Sequence, residues 1–227
     1  MLSAWLEGAT DYSRLAHWIG LSGRNLWAMD LPYHGRRAPR ETRSGELAIT
    51  ADVVRTLRAV RQAVCDARVL IRTLWELGSR DIAILGFSLG GWVGSLLALA
   101  EPKVSKALLL TPVVRPEELF LNSPLFSALR NGVREQDRVQ VFNKLRHLFL
   151  PVHGMPVIDP ERIHLIGAHE DPLAPPDSLR ELSLGWGCGE DILPGGHITV
   201  YLTGRLWRRI FSLLHPNQSL LNWSGTP

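Results

Sequence analysis

The apolar positions of the chain fall into two alternating patterns. Short, near-continuous apolar runs occur at 81–87 (DIAILGF), 106–114 (KALLLTPVV) and 162–168 (RIHLIGA), with a weaker one at 189–193 (GEDIL). Runs of this kind suit strands covered on both faces. Between them the apolar residues recur every three or four positions. In the segment from Ser44 to Leu77, the residues Val53, Leu57, Val60, Val64, Ala67, Ile71 and Leu74 form one helix face. Arg55, Arg58, Arg61, Arg68 and Arg72 lie largely off that face and read as its solvated side. Gly78 is placed to end this helix, and a break near Asp66 would shorten it. Residues 12–20, 90–101 and 198–215 also read as helices, and NLWAMDLP (25–32) as a short strand ending at Asp30 and Pro32. Alternating strands and helices predict an α/β architecture, a mostly parallel sheet with helices on both faces.

No linker, repeat or low-complexity stretch divides the chain, so residues 1–227 read as one domain. The stretch 113–160 breaks the rhythm. It is helical in pattern, too long for a simple crossover, and reads as a cap or lid insertion. Its Leu119, Phe120, Leu125, Phe126, Leu129, Phe142 and Leu148 suit either an apolar substrate pocket or the cap's own core.

Composition removes several function classes. The formal net charge is +3, and the basic residues are spread along the chain with no stripe or reading motif for nucleic acid. Cys65 and Cys188 have no Cys or His at metal-ligand spacing, and Cys65 fits a small core position on the long helix. Glu7 and Asp11 interrupt the first apolar residues too early for a signal peptide, and no stretch is long enough to span a membrane. A cytoplasmic location is the expectation.

Against that background one short stretch carries chemistry. Gly86-Phe87-Ser88-Leu89-Gly90 is G-x-S-x-G, set between an apolar strand and a helix and followed by Gly91. A strand-to-helix turn this tight strains the serine backbone and leaves no room for side chains two positions away. It would hold the Ser88 hydroxyl above the sheet edge, with the Leu89 N–H and the helix N-terminus directed at a substrate oxygen. Such a serine needs a base, and the base an orienting acid. His197, in the glycine-rich ILPGGHIT just before the last helix, is the best placed of the eight histidines. Asp171 follows the strand RIHLIGA in a proline-rich loop, with neighbouring Glu170 as runner-up.

These features resemble the α/β-hydrolase family over about residues 5–215. GFSLGG resembles its nucleophile elbow, GAHEDPLAPP its acid loop of the form G-x-x-D-x-x-x-P, and GGHITVYL its histidine loop. DLPYHGRR is similar to its D-x-P-G-H-G-x-S loop, with Tyr33 for the first glycine and Arg37 for the serine. That Pro-Tyr-His-Gly-x-Arg variant is closer to a poorly characterised branch of the family than to the common lipases. The resemblance puts Asp171 in register as the acid and makes His34 structural. It implies an α/β-hydrolase fold with a helical cap and a truncated N-terminal sheet edge, because the family's first two strands have no counterpart. An open sheet edge of that kind offers a homodimer contact.

The resemblance also implies a second oxyanion donor, in the slot Leu6-Glu7-Gly8-Ala9-Thr10, where the Ala9 N–H would serve and Glu7 replaces the usual histidine. The implied activity is that of a serine hydrolase acting on an acyl bond of a small apolar substrate, a carboxylic ester by default. It uses the triad Ser88, His197 and Asp171, with Leu89 and Ala9 as oxyanion donors and no metal or organic cofactor. The rival expectation is a binding or scaffold protein that keeps the fold without turnover, motivated by the short N-terminus and Glu7.

Overall fold

The computed structural model describes residues 1–4, 6–21, 23–122, 140 and 149–215. Four strands, β1 (Ala83–Phe87), β2 (Lys106–Leu110), β3 (Ile163–Ala168) and β4 (Gly189–Leu193), form a sheet in the order β1-β2-β3-β4. All three pairings are parallel. Beyond β1, Leu2 forms parallel bridges to both Gly86 and Met29. The Leu2 N–H donates to the Leu85 carbonyl (2.9 Å), and Phe87 N–H donates back to the Leu2 carbonyl (3.1 Å). The strand expected over 25–32 is reduced to that single bridge at Met29. Its end is diverted by Pro32, which has no N–H to give, and by Tyr33, which takes a left-handed φ of 67°.

The apolar runs are continuous because consecutive residues serve different layers. Ile84, Ala107, Leu109, Ile163 and Leu165 pack on one face. That face is covered by α2 (Val53–Glu76), α3 (Leu89–Ala98) and a helix at Pro176–Trp186. Leu85, Phe87, Leu108, Leu110 and Ile166 pack on the other, under α1 (Ser13–Leu21) and the last helix, Gly204–Leu214. The strand period of two therefore splits each run between two cores.

Helix α2 shows how far the pattern carries. Val53, Leu57, Val60, Ala67 and Ile71 are buried, and Val64 and Leu74 pack half-buried against them. The helix starts at Val53 instead of near Ser44, because the Asp52 carboxylate caps it by accepting from Arg55 N–H (3.0 Å). It runs unbroken past Asp66 to Glu76. Cys65 is exposed instead of in the core, and neither cysteine is in a disulfide. Arg68 and Arg72 reach the fully buried carboxylate of Glu101 at 3.3 and 2.9 Å, so part of the arginine row neutralises a buried acid.

A short helix, α4 (Pro116–Asn122), lies near the start of the stretch 113–160. Leu119 packs half-buried against the core. Leu125, Phe126, Leu129, Phe142 and Leu148 lie outside the described residues, as does the side chain of Phe120. The helix at Pro176–Trp186, here α5, was not singled out by the sequence pattern. Pro176 opens it, and Gly187, at φ 68°, ends it in a left-handed cap. The closing helix, expected over 198–215, divides at Thr203. A 3-10 turn covers Thr199–Leu202, and α6 (Gly204–Leu214) follows with Thr203 as its cap.

Candidate active site

Ser88 lies at the C-terminal end of β1 with φ 50° and ψ −108°, a conformation that an L-residue holds only under constraint. The constraint is visible in the flanking glycines. A Cβ on Gly86 would lie 2.5 Å from the Gly90 carbonyl oxygen, and one on Gly90 would lie 2.2 Å from the Leu2 carbonyl oxygen. One on Gly91 would lie 2.8 Å from Pro112 Cα. All these obstacles are backbone, so none can swing aside. Gly90→Ala is therefore expected to displace the Leu2 bridge and to cost about 3 kcal/mol or more. In a chain of this size that lowers Tm by about 6–12 °C, measurable by a thermal melt. A variant melting with the wild type would contradict the close approach.

Three side chains meet at the ends of three elements. Ser88 Oγ lies 2.8 Å from His197 Nε2, and His197 Nδ1 lies 2.7 Å from Asp171 Oδ2. Exposure is 9% for Ser88, 6% for His197 and 4% for Asp171, so the chain of hydrogen bonds is shielded from water. Asp171 is fixed in turn, because its Oδ1 accepts the N–H groups of Leu173 and Ala174, both at 2.8 Å. A carboxylate only accepts, so Nδ1 carries the imidazole proton and Nε2 is left to accept from Ser88. Glu170, the runner-up acid, is exposed. Its backbone N–H donates to the Gly195 carbonyl (2.9 Å), which ties the acid loop to the histidine loop.

The expected oxyanion donors fare differently. Leu89 opens α3, where the first N–H groups lack intrahelical acceptors, and among the described residues its N–H has no partner. The Ala9 N–H, by contrast, donates to Asp30 Oδ1 at 2.6 Å. That donor is already engaged in this arrangement. The Glu7 carboxylate is drawn away to accept from the Tyr12 hydroxyl. Burial, with this bond to Glu7, pushes the Tyr12 hydroxyl well above its usual range.

The DLPYHGRR loop is structural. His34 is fully buried and bonds the Pro32 carbonyl through Nδ1 (2.9 Å), and burial holds its pKa below the ordinary value. Gly35 sits at φ 49°, where a Cβ would lie 2.3 Å from Asp30 Oδ1. Arg37 fastens the loop to α2 through Asp66 at 2.7 Å.

The parallel sheet, the elbow at the end of β1 and the order Ser88, Asp171, His197 are now accompanied by a direct match. The sequence profile of the alpha/beta hydrolase family covers residues 3–209. The chain belongs to this family. Among curated proteins it is 27% identical over 203 residues to the "Uncharacterized protein Rv2627c" of Mycobacterium tuberculosis, covering 88% of this chain and 48% of that protein. The chain thus spans about half the length of the curated relatives it matches. Among solved structures it is similar to the Pyrococcus furiosus esterase Pf2001, with a TM-score of 0.65 and 15% identity, over 95% of this chain and 81% of that one. The acetyl xylan esterase 1 of a Thermoanaerobacterium species is similar with a TM-score of 0.61 and 15% identity, over 95% and 73% of the two chains. At that identity the likeness is one of fold.

A cleft of about 720 Å³ opens beside His197. Val114, Leu119, Pro172, Leu173 and Ile198 give it a mainly apolar wall. Arg115 also faces it, held by the carboxylate of Glu181. Sequence reasoning missed the aromatic residues around the elbow. There the Phe87 ring is flanked by Tyr12 and Tyr201, at centroid distances of 5.3 and 5.6 Å. The one available signal was the position of Tyr201, one helical turn after His197. Among the described residues, no helix is long and apolar enough to cross a membrane.

Proposed function

We propose that this chain is a serine hydrolase that cleaves a carboxylic ester through an acyl-enzyme. One observation carries the reading: the shielded hydrogen-bond chain from Ser88 through His197 to Asp171. Ser88 Oγ attacks the acyl carbon as its proton passes to His197 Nε2. Asp171 holds the imidazole in the required tautomer and stabilises its charged form. The Leu89 N–H and the N-terminus of α3 stabilise the oxyanion. When the tetrahedral adduct collapses, His197 returns the proton to the leaving alkoxide. Water then attacks the acyl-enzyme, giving its proton to His197, and the acid and free Ser88 are released.

The apolar wall of the cleft supports an alkyl or acyl group as its occupant. The test is a series of p-nitrophenyl esters from acetate to decanoate. Each methylene buried is worth about 0.8 kcal/mol, so kcat/KM is expected to rise about threefold to fourfold per methylene until the cleft is filled. A decline from acetate onward would contradict the apolar pocket, and no release of nitrophenol from any ester would contradict the hydrolase reading.

The second reading, a binding protein that retains the fold, is favoured by the engaged Ala9 N–H. Loss of one oxyanion donor costs about 10²–10³ in turnover. Saturable binding of the esters without release of product would select it.

A further inference from the structure

The histidine loop and the nucleophile elbow are joined a second time, through Tyr201 and Phe87. Tyr201 lies in the 3-10 turn Thr199–Leu202, four residues after His197. Its backbone carbonyl accepts from Trp207 Nε1 (2.8 Å), so the turn is anchored to α6. Its ring packs on Phe87, the residue before Ser88. Its hydroxyl bonds the Thr111 hydroxyl and lies 3.4 Å from the Leu110 carbonyl. That carbonyl also accepts the Ser88 N–H, at 2.9 Å. The Leu110 oxygen is therefore shared between the nucleophile's own backbone and the Tyr201 hydroxyl.

Thr111 pays a conformational cost to take part. It has φ 40°, a left-handed value that is an outlier for a β-branched residue, and it is almost fully buried. Its N–H is spent on the Ile166 carbonyl (2.6 Å), which joins the ends of β2 and β3. A strained, buried residue whose side chain meets one specific hydroxyl is a site where geometry is being held. With Thr111 donating to Tyr201 and Tyr201 donating to Leu110, both hydroxyl protons of the pair are used.

We propose that Tyr201, through Thr111 and Leu110, is a positioning residue that sets the separation of Ser88 and His197. The inference rests on the hydrolase reading. Tyr201 touches neither reacting atom. It fixes the turn that carries His197 relative to the backbone that carries Ser88. Small misplacements of a catalytic pair are costly, because a near-attack geometry is lost.

The experiment measures the second-order rate of fluorophosphonate labelling, well below Tm, for the wild type and four variants. Tyr201→Phe and Thr111→Val each delete one hydroxyl while keeping shape, and Thr111→Ser restores it. The fourth variant combines Tyr201→Phe with Thr111→Val. Thermal melts confirm that each is folded at the assay temperature. Tyr201→Phe and Thr111→Val are each expected to label about tenfold more slowly, the loss that one well-placed hydrogen bond accounts for. Thr111→Ser is expected to label at the wild-type rate, and the double variant no more slowly than the slower single. On ester substrate Tyr201→Phe, Thr111→Val and the double variant lower kcat and leave KM unchanged, while Thr111→Ser matches the wild type.

A purely structural pair would lower Tm and leave the labelling rate of folded protein at the wild-type value, and that result overturns the inference. So does an additive double variant, or a slow Thr111→Ser. If the wild type itself is not labelled, the hydrolase reading fails, and this inference falls with it. A labelled wild type matched by Tyr201→Phe overturns this inference alone.

Discussion

Replacing Ser88 by alanine is expected to remove the proposed ester hydrolysis, with kcat falling about 10⁶-fold, while the fold survives. The asymmetry follows from the site. The Ser88 hydroxyl makes one side-chain hydrogen bond, to His197. Its loss costs about 1 kcal/mol of stability, or a fall of about 2–4 °C in Tm. The strained backbone at φ 50° is imposed by Gly86, Gly90 and the Leu110 carbonyl that accepts the Ser88 N–H, and none of these depends on the side chain. Steady-state kinetics with a p-nitrophenyl ester, beside a thermal melt, checks both halves. A variant that kept more than a hundredth of the wild-type rate would place the nucleophile elsewhere.

The second large effect belongs to Asp171. In Asp171→Asn the amide oxygen can retain the position that accepts from Leu173 and Ala174. The amide nitrogen then faces His197 Nδ1 and donates to it. The imidazole proton is forced onto Nε2, where it points at Ser88 Oγ, and the base is lost through the wrong tautomer. A fall of about 10⁴ in kcat is expected, with KM little changed. The comparison variant is Glu170→Gln. The Glu170 side chain is exposed and its structural tie is made by its backbone, so kcat is expected to stay at the wild-type value. A large loss in Glu170→Gln with full activity in Asp171→Asn would reverse the assignment of the acid.

How much of this was legible in the sequence depends on what each feature rests on. The elbow was readable because its requirement is steric and local: glycines two residues either side of Ser88 have no room for a Cβ. Strands β1, β2 and β3 were readable because both of their faces are buried, so whole runs had to be apolar. Asp171 and His197 could be placed by their positions in loops that follow strands. The second oxyanion donor could not. Whether the Ala9 N–H is free depends on Asp30, a residue distant in sequence that captures it. A backbone donor carries no mark of its direction in its own side chain.

The start of α2 was misplaced for a related reason. The apolar step of three and four says where a helix can bury a face, but a single capping contact at Asp52 decides where it begins. Cys65 was assigned to the core as a small residue within the apolar pattern of the long helix. The buried positions of that turn are Ala63 and Ala67, and Cys65 falls on the other side. The Thr111–Tyr201 contact was invisible because it depends on a left-handed threonine, which no sequence pattern announces.

The central claim is that Ser88 is an activated nucleophile. Its most direct test is the intact mass of the purified chain after reaction with a fluorophosphonate, followed by mapping of the modified peptide. The account predicts one adduct on Ser88 in the wild type, and none in His197→Ala under the same conditions. A folded wild type that stays unmodified, or one modified at another residue, would contradict it.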